Sequence, residues 1–192
     1  MHDADPENPE PPPRRASASP ATPCAPAADA PLVELTDATG RLAAADLAWL
    51  TDRARSALVH LRAAGELRAR IIDDAAMRRA HADWLGDDST TDVITFDLTE
   101  GHAALTRELD TDLLVCLDEA TRQAHHRGHD ARRELLLYLV HGSLHCLGHD
   151  DHEPTQAERM HALEDRTLDA IGVGAVYAPA NPPEPGHRED PR

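Results

Sequence analysis

Leu135, Leu136, Leu139, Val140, Leu144 and Leu147 recur at the three- and four-residue spacings of one helical face. A stripe this wide and apolar has to be buried, so residues 130–147 define a central helix around which the rest of the chain must pack. The other side of that helix carries Glu134, Tyr138, His141 and His145. Two histidines four residues apart lie on one helical face, and both imidazoles can reach a single ion. Gly148 breaks the helix, and the run His149-Asp150-Asp151-His152 can fold back with a third donor. Three protein ligands with one position open describe a catalytic zinc site, whereas four usually mark a structural one.

Spacing alone is weak evidence in a chain with 13 histidines, and His125 and His129 repeat it. That second pair reads as a solvated helix end. Context separates the first pair: it sits on the most apolar helix, beside Gly142, which weakens a helix unless a close approach requires it. For the third donor, His149 follows the glycine with little chain in which to return. Asp151 lies six residues after His145, far enough to turn back, and His152 lies one further, where adjacent side chains usually diverge. Cys146 is rotated by about 100° from His145 and belongs to the core. Gly142 also stands where the zinc peptidase pattern H-E-x-x-H has its glutamate, which disfavours that chemistry.

The 192 residues allow one domain of ordinary size. Residues 1–30 and 178–192 are rich in Pro, Ala and charge and too poor in large apolar side chains to offset their ordering entropy, which leaves 31–177 as the folded domain. The formal net charge is −16 and every Lys/Arg position is arginine, a balance that argues against broad attraction to nucleic acid. No apolar run is long enough to span a bilayer, so no membrane role is expected. The acidic N-terminus does not resemble a secretory signal. Three cysteines (24, 116 and 146) suit reduced thiols in a cytoplasmic protein.

The periodicities predict a strand at 32–36, a helix over 42–64 stopped by Gly65, a strand over 66–73 and a helix over 74–85 capped by Asp73 or Asp74 with Gly86 after it. Strands follow at 93–98 and 113–117, then helices at 118–127 and 130–147, and a last helix from Pro154 to about Ile171. The fold class is α+β: a single domain with a small mixed β-sheet packed against about five helices, its metal site at the end of a core helix.

The run Arg133-Glu-Leu-Leu-Leu-Tyr-Leu-Val-His-Gly-Ser-Leu-His-Cys-Leu-Gly-His-Asp-Asp151 resembles the signature of the YbeY family, bacterial metal-dependent endoribonucleases of rRNA maturation and small-subunit quality control. Thr90-Thr-Asp-Val-Ile-Thr-Phe96 resembles that family's P-T-D-V-L-S-F strand, with Thr90 in place of the proline. The preceding helix (Met77 to Leu85) and the later helix containing Glu164-Asp165 also agree. The resemblance covers about residues 65–171. It implies a Zn²⁺ site formed by His141, His145 and Asp151, with His152 as the fallback third ligand. Asp151 stands where the family pattern has histidine, and His149 where it has tyrosine. Its negative charge would make the ion a weaker Lewis acid. The family's phosphate-binding arginine corresponds to Leu85, with Arg78 and Arg79 as nearby substitutes or simply a solvated face.

The resemblance further implies hydrolysis of RNA phosphodiesters by a metal-activated water, with zinc lowering its pKa towards about 7. A ribose 2′-OH is an alternative nucleophile, and Asp150 or Glu153 are candidate proton carriers. Implied partners are rRNA and the small ribosomal subunit, with a ribosomal protein or GTPase assembly factor. The rival readings are a non-cleaving, zinc-stabilised ribosome assembly or RNA-binding factor, and a metallohydrolase of another substrate.

Overall fold

The computed structural model describes residues 30–99 and 107–177; the expected tails and Cys24 lie outside the described residues, apart from the boundary residue 30. In chain order the elements are β1 (Leu32–Asp37), α1 (Ala44–His60), β2 (Ala64–Ile72), α2 (Asp74–Leu85), β3 (Val93–Asp97), β4 (Glu108–Cys116), α3 (Leu117–Arg127), α4 (Ala131–Cys146) and α5 (Pro154–Ala170). The strands form one sheet in the order β1-β2-β4-β3, with β1, β2 and β4 parallel and β3 antiparallel to β4. The mixed sheet and helices are the α+β architecture expected from the sequence. Among the described residues, no helix is long and apolar enough to cross a membrane.

Strand alternation divides the side chains between two faces. Leu67 and Ile71 of β2 and Leu109, Leu113 and Val115 of β4 join Leu50 and Leu58 of α1 and the apolar stripe of α4 in the main core. On the other face Ile72, Ile94 and Cys116 pack with Met77 of α2. Leu135, Leu136, Leu139 and Leu144 are at most 1% exposed, and each such burial is worth about 1.5–3 kcal/mol. The helix is enclosed so fully that Glu134 and Tyr138 are buried with it.

The bounds of α2 agree with its sequence signals: Asp73 Oδ1 accepts from Ala76 N–H at 2.8 Å, and Gly86 follows with φ +73°. Three other expectations need correction. The first helix ends at His60, and Arg62, with φ +57°, makes the left-handed turn assigned to glycine. Gly65 is instead inside β2, where its φ is +93° and a Cβ would lie 2.1 Å from the Leu109 carbonyl oxygen. The strand foreseen at 113–117 begins at Glu108, because Leu109, Thr111, Leu113 and Val115 alternate into the core while Asp110 and Asp112 pair with Arg68 on β2. Finally, His129 is not at a solvated helix end: its side chain is 10% exposed, with Nε2 3.1 Å from Glu134 Oε2.

Candidate metal centre

Asp130 caps α4 by accepting from Arg133 N–H at 2.9 Å. The helix then crosses the sheet closely at Gly142, where a Cβ would meet Leu113 Cδ2 at 2.9 Å and Thr95 Oγ1 at 3.0 Å. This close approach accounts for glycine beside His141. Beyond Leu147, Gly148 adopts φ +87° and His149 N–H donates to Leu144 C=O at 3.0 Å, reversing the chain. Asp150 shapes the turn by accepting from the backbone N–H groups of Asp151 (2.8 Å) and His152 (3.3 Å). It also pairs with the His152 ring, whose side chain is 83% exposed.

The turn brings Asp151 back to the helix, its Oδ2 lying 3.7 Å from His141 Nε2 and its Oδ1 3.7 Å from His145 Nε2. The two Nε2 atoms are 3.1 Å apart. His141, His145 and Asp151 each offer one donor atom within 4.8 Å of the others, a possible metal-binding group. Asp150, Asp151 and His152 form a second grouping by the same measure, but Asp150 and His152 are exposed and joined to each other. His149 contributes its backbone: its carbonyl faces His145 Nδ1 at 3.1 Å.

The hydrogen bonds fix the ring tautomers. A carbonyl only accepts, so His145 Nδ1 carries hydrogen. His141 Nδ1 lies 2.7 Å from the Glu164 carboxylate and donates to it. In neutral rings both Nε2 lone pairs therefore point at each other, with a carboxylate beside them. That donor set calls for a cation. A tetrahedral ion with bonds of about 2.0–2.1 Å has donor–donor edges of about 3.3 Å. The Nε2–Nε2 edge here is 3.1 Å, each nitrogen lies 3.7 Å from a different Asp151 oxygen, and one donor atom per residue falls within 4.8 Å of the others, so these residue types and spacings suit such an ion.

Glu164 comes from α5 and is fully buried, and its Oε2 has no hydrogen-bond partner among the described residues. Burial opposes charge on His141, but the Glu164 hydrogen bond and the negative charges of Glu164, Asp92 and Asp151 outweigh it and raise its pKa. Among the described residues Cys116 and Cys146 offer no competing donor of this kind: burial pushes the Cys116 thiol up to about 11, and Cys146 is buried in the core.

A cavity of about 510 Å³ opens beside the group, lined in part by Thr91, Asp92, Arg127, Tyr138, His141 and Asp151. Leu85 is absent from its lining and is 62% exposed at the end of α2. Arg78 is exposed, and Arg79 lines a separate cavity with Arg70 and Leu114. Neither Arg78 nor Arg79 lines the cavity beside His141. Sequence reasoning did not assign Glu164 or Arg127 to the site. Glu164 had a visible signal, since it falls between Met160 and Leu168 at four-residue spacing, a carboxylate on an apolar helical face.

A solution structure of a Thermotoga maritima protein superposes with a TM-score of 0.55 at 18% identity, covering 73% of this chain and 89% of that one, and supports the fold. A Myxococcus xanthus protein named Endoribonuclease YbeY is 42% identical over 130 residues, 66% of this chain and 44% of its own length. The chain thus spans under half of that relative. One of the same name from Halorhodospira halophila is 40% identical over 115 residues, 59% of this chain and 75% of its own. The family profile described as Endoribonuclease YbeY matches residues 41–172, and the chain belongs to that family.

Proposed function

We propose that this chain is a zinc-dependent endoribonuclease that holds its ion with His141, His145 and Asp151. The observation carrying this reading is the convergence of two Nε2 lone pairs and a carboxylate, braced by Glu164 and the His149 carbonyl. Membership of a family whose relatives are named endoribonucleases supplies the substrate class. The reading extends to rRNA maturation in small-subunit biogenesis in the cytoplasm, with an assembly protein or GTPase presenting the RNA. A net charge of −16 supports such a partner, since the chain by itself attracts polyanions poorly.

His141, His145 and Asp151 would hold the ion, which when bound would supply Lewis acidity towards water and a phosphodiester. The chain's own groups do the rest. Glu164 holds the proton on His141 Nδ1 and the His149 carbonyl holds that on His145 Nδ1, which keeps both Nε2 atoms free to donate their lone pairs. Asp151 contributes negative charge. Asp92 lines the cavity with its Oδ1 fixed by Val93 N–H at 2.8 Å and the Thr91 hydroxyl at 3.0 Å, an oriented carboxylate suited to accept a proton. Asp150 serves this role less well because His152 already occupies it.

The test is metal content and RNA cleavage in the wild type, His145→Ala and Asp151→Ala. About one zinc per wild-type chain is expected, with both variants losing metal and cleavage while keeping the fold. Unchanged zinc in Asp151→Ala would overturn the ligand assignment. Metal and RNA binding without cleavage in the wild type would instead favour the assembly-factor reading.

A further inference from the structure

We propose that the cavity beside His141 and Asp151 contains a phosphate-binding subsite for the RNA backbone, built from the Arg127 guanidinium and the Tyr138 hydroxyl. It rests on the endoribonuclease reading and supplies the anion contact that Leu85 cannot. Both residues line the cavity that contains the two proposed ligands.

Arg127 is held in place from two sides. Its Nη1 donates to Glu134 Oε1, a fully buried carboxylate, and its guanidinium carbon lies 5.0 Å from the centre of the Tyr177 ring. Tyr177 is itself stacked on His161, with ring centres 4.0 Å apart and planes 17° from parallel. Its backbone N–H is tied to Asp165 Oδ1 at 3.0 Å. Glu134 takes one branch of a guanidinium that has five donors in a rigid fork. Glu134 Oε2 lies 3.1 Å from His129 Nε2 without a hydrogen bond to it, so among the described residues Arg127 is the side chain that satisfies this carboxylate, through Oε1. The result is an oriented cation in a cavity, the arrangement that recognises phosphate through paired N–H donors.

Tyr138 provides a second, independent observation. The residue is almost wholly enclosed, at 4% exposure, yet its hydroxyl has no hydrogen-bond partner among the described residues. A buried hydroxyl without an acceptor is a cost that an incoming acceptor removes. Burial, then the nearby charges of Glu134, Asp92 and Glu119, raise its pKa, so the phenol stays protonated and available to donate. The acidic wall is partly neutralised as well: Glu119 Oε2 accepts from Arg122 at 2.7 and 2.9 Å, and its Oε1 accepts from Gln123 at 2.7 Å.

The test measures binding of a labelled single-stranded 2′-O-methyl RNA dodecamer to zinc-loaded protein, with inorganic phosphate as competitor. Steady-state cleavage of the unmodified RNA is measured in parallel. Tyr138→Phe is expected to keep its zinc and to melt no lower than wild type, because it removes only an unpaired hydroxyl. It should weaken RNA binding roughly 5- to 10-fold, with the loss on KM rather than kcat. Arg127→Met is made together with Glu134→Gln, so that no buried carboxylate is stranded. That variant should lower the slope of log affinity against log salt by about 0.7, the value of one single-strand phosphate contact. Arg127→Lys should keep the slope while losing part of the affinity. Wild-type RNA binding, phosphate competition and salt slope in both Tyr138→Phe and the double variant would overturn the subsite, even if the wild type cleaves RNA. If the wild type cleaves no RNA but these variants lose phosphate binding, the endoribonuclease reading fails and the subsite stands.

Discussion

A single buried carboxylate decides how His141 presents itself. Glu164 accepts from Nδ1 at 2.7 Å, fixing the tautomer and enriching the electron density of the ring that faces Asp151 and His145. Glu164→Gln preserves the shape and one acceptor oxygen but removes the charge. We expect the fold to be retained and zinc affinity to drop about 10- to 100-fold, read by competition with a chromophoric chelator. Wild-type affinity would mean that something other than Glu164 orients the ring. The two histidines were legible in the sequence because four-residue spacing is local geometry. The partnership of His141 with Glu164 was not, since it joins residues 23 apart in the chain on two different helices. The choice between Asp151 and His152 as the nearer side chain depended on the turn, where Asp150 draws the His152 ring outwards.

Junctions between elements show where local signals mislead. A glycine after an apolar helical stretch commonly marks a helix stop, and Gly65 has the positive φ of such a residue. It uses that freedom in a strand instead, because β2 passes so close to β4 that no Cβ fits beside the Leu109 carbonyl. The contact spans two strands distant in sequence, so periodicity does not reveal it. Gly65→Ala combines backbone strain with a 2.1 Å clash against main chain, and should destabilise the protein by about 3 kcal/mol. Denaturant titration of metal-free protein checks this, and a loss under about 1 kcal/mol would show that the strands separate readily. By contrast α2 was legible to the residue, because Asp73 and Gly86 act through bonds within its own terminal turns. Polar Asp110 and Asp112 obscured the first half of β4, since their place in a strand depends on Arg68 across the sheet.

At the scale of the molecule, a net charge of −16 sets general repulsion against a few carboxylates that the fold requires in ionised form. Arg122 grips Asp74 through Nη1–Oδ2 at 2.6 Å and Nη2–Oδ1 at 2.9 Å, holding its pKa far below the usual carboxylate range. Asp118 is also lowered, by the backbone N–H of Asp74 and by Arg41. These links join the starts of α2 and α3 to one another and to the segment after β1. A lowered folded pKa contributes stability that is present above the unfolded value of about 3.9 and is lost as pH falls through the folded value. General repulsion acts in the opposite direction: His141 and His152, whose folded pKa values are raised, take up protons more readily in the folded chain as pH falls from about 7 to 5, which reduces the negative charge. Metal-free protein at low ionic strength should therefore gain thermal stability between about pH 7 and 5, then lose it below about pH 4. Salt at about 0.5 M should flatten the gain by screening, and leave most of the loss, because the Asp74 and Asp118 contacts are short and partly buried. Asp74→Asn should lower the melting temperature at neutral pH by about 3 °C, equivalent to about 1 kcal/mol for these partly exposed partners. The same variant should show a shallower fall below pH 4. An acid limb identical in wild type and Asp74→Asn would show that the ion pair with Arg122 contributes nothing to the fold's dependence on pH.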